Sequence, residues 1–350
     1  MSQELNINDW PRYLGSPSTQ GVLRSSPDDF QVDEELGFEP DGEGEHAFLL
    51  IEKCSTNTQF LARRLARLAA VPPRDVGFSG LKDRHARTRQ WFSVGLAGKA
   101  EPDWAQLNDD VTTIKQVTRH RRKLRRGVHR ANRFSLTLRR LQGDREALQR
   151  KLERIGESGV PNYFGEQRFG RNAGNLTATV AWMRGETRAP KRERRSMYLS
   201  ALRSYVFNSL LAQRVAAGNW QQPVGGEPCR LRGSRSFFVA EEVDEALLQR
   251  ARSGDVHPAL PLWGKGRWDG DREGIDASLD GLKEYCEFLE QQGLKLDWRP
   301  TRMMPDDFSW QFCDDDAMTV SFELEAGSFA TALLRELVDY TDNNGEWDSQ

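Results

Sequence analysis

The side chains best suited to chemistry in this sequence are Lys82-Asp83-Arg84-His85, a carboxylate with a cation on each side and an imidazole beside it. Neighbouring positive charge favours the ionised carboxylate, the form that a nucleophile or a general base requires. The same residues suit an ordinary ion-paired surface turn, where such pairs contribute little; residue types alone leave both readings open. Other chemistries lack their signatures. There is no lysine-bearing phosphate loop, no GxGxxG after a strand, no HExxH and no GxSxG. The histidines His46, His85, His120, His129 and His257 are scattered, and Cys54, Cys229, Cys286 and Cys313 form no CxxC pair. Neither a metal centre nor a disulfide framework is expected, and no cofactor. Asp314, Asp315 and Asp316 read as a turn between strands, since neighbours in an extended chain face opposite sides.

The elements that must position Asp83 can be read from periodicity. Residues 75–79 and 90–94 read as strands, so GLKDRHARTR at 80–89 is a loop carried by a sheet, where reactive groups are commonly presented. AFLLIE at 47–52 reads as a buried strand, followed by a helix over 58–70 capped near Asn57 with Leu61, Leu65 and Leu68 on one face. Residues 132–138 alternate, with Phe134, Leu136 and Leu138 inward and Arg133, Ser135, Thr137 and Arg139 outward. After a helix over 144–156 and a break at 159–165, helices are expected over 172–183, 197–217, 243–252 and 280–292. A strand over 318–325 and a helix over 328–340, capped by Ser328, come last. The order predicts a mostly helical module inserted into a sheet domain that the C-terminal residues complete.

With 350 residues, 37% hydrophobic and 29% charged, the chain can bury a sizeable core in one large or two ordinary domains. No apolar run approaches the ~20 residues of a membrane helix, and the first residues do not resemble a signal peptide, so a cytoplasmic protein is expected. The net charge of −2 conceals segregation. Residues 111–143 hold eleven Lys and Arg and no acid, and a second basic cluster spans 184–203; residues 28–45 hold nine carboxylates and no base. Such a run suits a nucleic-acid face backed by an acidic rear. The competing reading is that the runs pair with one another as solvated surface.

Five segments then carry a resemblance: PDDFQVDEELGFEPDGEGEH at 27–46, GFSGLKDRHA at 77–86, RANRFSL at 130–136, GVPNYFGEQRFG at 159–170 and AGSFATALLRELV at 326–338. Together they resemble the TruD family of tRNA pseudouridine synthases, in the family's order. The resemblance implies cofactor-free isomerisation of uridine to pseudouridine in tRNA, at position thirteen in bacterial members, with Asp83 of the (G-x-K-D) motif as the essential carboxylate. It implies substrate contacts at Phe30, Asn132 and Phe329, with Phe134, Arg24 and Lys82 beside them. The implied fold is α+β: a pseudouridine-synthase catalytic domain with a mixed, mainly antiparallel sheet over 1–157 and 306–350, interrupted by a largely helical α/β insertion (TRUD) domain over 158–305. The implied partner is tRNA, with no membrane and no obligate protein partner. One departure stands out: where the family often has Gly-Asn-x-Phe, this chain has Ala131-Asn132-Arg133-Phe134.

The residue types agree with that chemistry. A stacked base must be flipped into a pocket at a cost of a few kcal/mol, which Phe30 or Phe329 could offset by stacking and Asn132 by bonding a uracil edge. Read without the resemblance, the phenylalanines are core residues and Asn132 a turn residue. Attack of Asp83 at C1′ or C6, or its action as a base, stay open, as does contact of Lys82 and Arg84 with phosphate or with the carboxylate. A non-catalytic RNA-binding module would share the basic run but would not need the carboxylate. A methyltransferase would need a glycine-rich turn that is absent.

Overall fold

A computed structural model describes residues 5–7, 9–268, 272–313 and 316–343. The chain divides into two compact units, one of residues 18–148, 305–327 and 338–350, the other of residues 1–17, 149–304 and 328–337. The first is built on a sheet. Its early elements are β1 (Thr19–Leu23), β2 (Phe30–Glu35), β3 (His46–Lys53), α1 (Thr58–Leu68), β4 (Val76–Phe78), β5 (Arg87–Gly95), β6 (Thr112–His120) and β7 (Ala131–Gly143). Asn57 caps α1, its side chain accepting from the Gln59 amide at 2.8 Å, and the apolar stripe of α1 buries Leu61 and Leu65 completely. That stripe lies against Ala47, Leu49 and Ile51 of β3 and Phe92 and Val94 of β5. Phe48, on the other face of β3, packs with Trp91, Leu36 and Leu124. Burial on both faces explains why β3 reads as a continuous apolar run instead of an alternation.

The sheet is mixed and mainly antiparallel. β7 runs through its middle, pairing with the strand Ala317–Glu325 on one side and with β2 and then β1 on the other. β2 pairs with β5 in parallel, and β3 and β6 continue beyond β5. Parallel pairing requires a crossover; β3, α1 and β4 form it, and the 80–86 loop emerges where β5 begins. The final helix differs from expectation. It spans only Ala330–Leu337, beginning two residues beyond Ser328, and Asp339–Asp342 is a strand lying parallel to β1. Ladder partners in β1 win over helical propensity here, since Asp339 pairs with Gln20 and Asp342 with Leu23. β6, within the basic run, is likewise unexpected, because its polar residues show no clean alternation. The turn expected at Asp314–Asp316 lies mostly outside the described residues.

The second unit holds the helices Gly174–Met183, Arg192–Ala216, Glu245–Arg252, Arg272–Ala277, Lys283–Gln291 and Ala330–Leu337. It also contains a four-stranded antiparallel sheet of Phe237–Ala240, Glu227–Leu231, Val256–Leu262 and Asp297–Pro300, in that order. The mostly helical reading therefore overlooked a sheet, whose strands are short and interrupted by Pro228, Pro258 and Pro261. Residues 1–17, 149–157 and 328–337 group with the inserted segment, and Glu336 and Lys151 bind the N-terminal main chain at Leu14, Gly15 and Ser16.

Candidate active site

The loop between β4 and β5 is held by side chains from the surrounding strands and from α1. Gln90 donates to the Gly80 carbonyl at 2.6 Å and accepts from Thr58, whose hydroxyl in turn accepts from the Lys82 amide at 3.1 Å. Strand, helix start and loop are thus tied through two side chains. Asp83 receives the His85 amide on Oδ1 at 3.0 Å and the Arg24 guanidinium on Oδ2 at 2.8 Å, charge-assisted bonds that are stronger than neutral ones and fix the direction of both oxygens. Its side chain keeps 17% exposure. The carboxylate is oriented on both oxygens and partly open to solvent.

Arg24 is itself heavily constrained. It follows β1 directly, is fully buried, and adopts the left-handed conformation at φ 59°, a strain of about 1–2 kcal/mol for a residue with a side chain. Asp342, brought alongside by the strand pairing with β1, binds its second nitrogen. The Phe30 ring lies 3.9 Å from the guanidinium carbon. Phe30 is 5% exposed and meets Phe134 edge-on at 6.4 Å. Phe134 is a core residue, stacked on Phe322 at 5.4 Å.

Lys82 turns inward. Its ammonium pairs with Glu34, which also accepts from the Trp91 amide at 3.2 Å, and both side chains are buried. Burial raises the Glu34 carboxyl from its ordinary value, with Lys82 opposing the rise. Phosphate contact by Lys82 does not fit this geometry, which gives it the place of a buttress. Arg84 is exposed. Lys53, at the end of β3, is fully buried and donates to the Asp83 carbonyl at 3.1 Å.

Asn132 opens β7 beside this loop. Its amide nitrogen lies 3.3 Å from Nε2 of His129, whose Nδ1 contacts the Ser79 hydroxyl at 2.6 Å. Burial pushes the His129 imidazole down to about 4, so it is neutral at pH 7 and able to accept from Asn132. The Asn132 Oδ1 is buried without a hydrogen-bond partner among the described residues, a state that costs about 1–3 kcal/mol until something donates to it.

The basic run divides. Arg121 pairs with Glu43, Arg139 with Asp29 and Arg133 with Glu35, so this part obeys the reading in which basic and acidic runs neutralise each other. Arg122, Arg125 and Arg140 are exposed and have no ion-pair partner among the described residues. Lys115 binds Glu52, and Arg126 lies over Phe78 at 3.8 Å.

Phe329 belongs to the other unit, where it is half-buried and meets Phe164 edge-on at 5.7 Å. Gly165 permits this: a Cβ there would lie 2.5 Å from the Thr331 hydroxyl and 3.1 Å from the Phe329 ring. The GVPNYFGEQRFG and AGSFATALLRELV segments therefore meet inside that unit. Arg168 lies 5.7 Å from the same ring.

Among the described residues no set of three metal-ligating side chains converges, no helix is long and apolar enough to cross a membrane, and all four cysteines are free. Sequence reasoning gave no argument for Glu34, Lys53 or Asp342. The first two carried a signal, a charge at a core-facing strand position; Asp342 carried none, because the pattern predicts a helix over 328–340 and no strand after it.

Comparison with known proteins extends these observations. The family described as tRNA pseudouridine synthase D (TruD) matches residues 11–183 and 183–337. The tRNA pseudouridine synthase D of Nitrosococcus oceani is 49% identical over 332 residues, 93% of each chain, and that of Methylococcus capsulatus is 44% identical, covering 95% of each. A crystal structure of the putative tRNA pseudouridine synthase D of Methanosarcina mazei shares the fold, with a TM-score of 0.70 at 20% identity over 96% of this chain and 97% of that one. Two family segments that span nearly the whole chain, and relatives this similar over more than nine-tenths of their length, leave one assignment: the chain belongs to the TruD family of tRNA pseudouridine synthases.

Proposed function

We propose that the chain isomerises uridine to pseudouridine in tRNA, at position thirteen, with Asp83 as the carboxylate that attacks the nucleoside at C1′ or C6 or assists as base. The reaction breaks the bond from uracil N1 to C1′ and forms one from C5 to C1′. C5 gives up its proton and N1 gains one, so the change balances without electrons or a cosubstrate. The observation that carries the reading is the state of Asp83: both oxygens are oriented by Arg24 and the His85 amide while the side chain stays 17% exposed. A nucleophile needs that combination of charge, fixed direction and access.

A uridine must leave the stack to reach it. The unpartnered Oδ1 of Asn132 suits the N3–H of a uracil, which would remove a buried unsatisfied acceptor. We assign Phe30 to support of Arg24 as well as to the substrate contact the family implies. Phe329 is assigned to RNA contact from the other unit. Arg122, Arg125 and Arg140 are the charges of the basic run free to meet phosphates.

The test is pseudouridine mapping on unmodified tRNA transcripts incubated with the purified protein and with Asp83→Asn, without added cofactor and with EDTA after the tRNA has been folded. Pseudouridine at position thirteen with the first protein alone is expected. Turnover by the variant within about tenfold of the parent would remove Asp83 from the chemistry, and loss on chelation restored by one metal would reject the cofactor-free scheme.

A further inference from the structure

We propose that Lys53 is a positioning residue for Asp83: its ammonium, buried at the end of β3, holds the main chain of Asp83 and supplies a positive charge beside the carboxylate. The proposal rests on the reading of Asp83 as the reactive group. Lys53 continues the row Ala47, Leu49, Ile51 on the face of β3 that packs against α1, and like them it is fully buried. Its backbone pairs with Thr88 of β5 and Thr112 of β6, so the side chain starts from a strand held on both edges. A methionine or leucine would fill this position without the cost of desolvating a charge. Among the described residues its ammonium has one hydrogen-bond acceptor, the Asp83 carbonyl at 3.1 Å. The carboxylate of the preceding residue, Glu52, serves Arg87, Arg89 and Lys115 instead.

The charged and titratable groups that face Lys53 are few. From the loop come Asp83, which favours its charge, and Lys82, which opposes it and is partly neutralised by Glu34; from its own strand end comes Cys54. The neighbouring strands present threonines. Burial pushes the amine down to about 8, so it titrates within a range where turnover can be measured. The neutral amine still donates an N–H to the carbonyl. Titration therefore separates the charge from the hydrogen bond.

The experiment measures kcat and KM on excess unmodified tRNA from pH 6.5 to 9, for the parent and for Lys53→Gln, which keeps a donor and loses the charge. The parent's kcat should fall about tenfold as pH rises through about 8, with KM unchanged. Lys53→Gln should show kcat reduced about tenfold or more at pH 7, an unchanged KM and no such alkaline fall. Lys53→Arg, whose charge does not titrate in this range, should recover part of the rate and flatten the profile. A parental kcat that is flat through pH 8 would overturn the proposal, and needs no variant to fold. So would Lys53→Gln turning over within twofold of the parent with the alkaline fall intact. Either result with an inactive Asp83→Asn rejects Lys53 alone, whereas an active Asp83→Asn rejects the reading of Asp83 beneath it.

Discussion

The loop around Asp83 and the basic run over 111–143 lie in the same unit and use the same residue types, yet they treat charge in opposite ways. In the loop, Arg24, Lys53, Lys82 and Glu34 are buried, and each is held by a named partner. In the run, Arg121 and its partner Glu43 are about two-thirds exposed, and Arg122 and Arg125 stand in water. A buried pair is costly to break, because the survivor is left uncompensated in a low dielectric, while an exposed pair is worth about 0–1 kcal/mol. Clustering in sequence drew attention to the run, but the charges that fix the loop are marked by burial: Arg24 after β1, Lys53 at the end of β3, and the Glu34–Lys82 pair.

The contrast is most sharply tested at its centre. Asp83→Asn should abolish detectable pseudouridine formation while tRNA binding stays close to the parent's, since the basic run is untouched. It should lower the melting temperature to a smaller extent than loss of Arg24 does, because Arg24 keeps Asp342 as its partner. Arg24→Gln comes next. It leaves Asp83 and Asp342 facing each other, and should lower stability by about 3 kcal/mol in denaturant unfolding along with a large loss of kcat. Parental stability in that variant would place Arg24 with the surface charges.

Lys53 separates stability from activity by sign. Its folded pKa of about 8 lies below the ordinary 10.5, so between those values the unfolded chain holds a proton that the folded chain has released. Stability contributed at this site therefore rises as pH climbs from 8 to 10.5, by up to about 3 kcal/mol, while turnover falls. The gap in unfolding free energy between the parent and Lys53→Gln at pH 8 and pH 10 measures it. The smallest effect on the fold belongs to the run: Arg121→Glu, Arg122→Glu and Arg125→Glu together should leave melting nearly unchanged. They should weaken tRNA binding and reduce its salt slope by about one unit for each phosphate that no longer meets a positive charge. An unchanged slope would place the RNA on another face.

Much of the sheet unit was legible. The apolar row of β3, the amphipathic stripe and Asn57 cap of α1, and the alternation of β7 each report a local rule that tertiary structure obeys. The strand at Asp339–Asp342 was hidden because it exists only by pairing with β1, over three hundred residues earlier in the chain. The proline-interrupted sheet of the other unit was hidden for a related reason, its strands being too short to show a period. At the site, the KDR run disclosed Asp83, but what holds it came from β1, β2, β3 and the last strand. Periodicity could have nominated Glu34 and Lys53, since each stands where its strand otherwise buries apolar side chains.

The span of Arg24 has a kinetic consequence. Its two carboxylates lie 59 and 318 residues away along the chain, and contacts of such separation form late, after the entropy of closing long loops has been overcome. Refolding from denaturant should therefore restore secondary structure before it restores turnover, with the reactive aspartate becoming competent only as the first and last strands of the sheet meet.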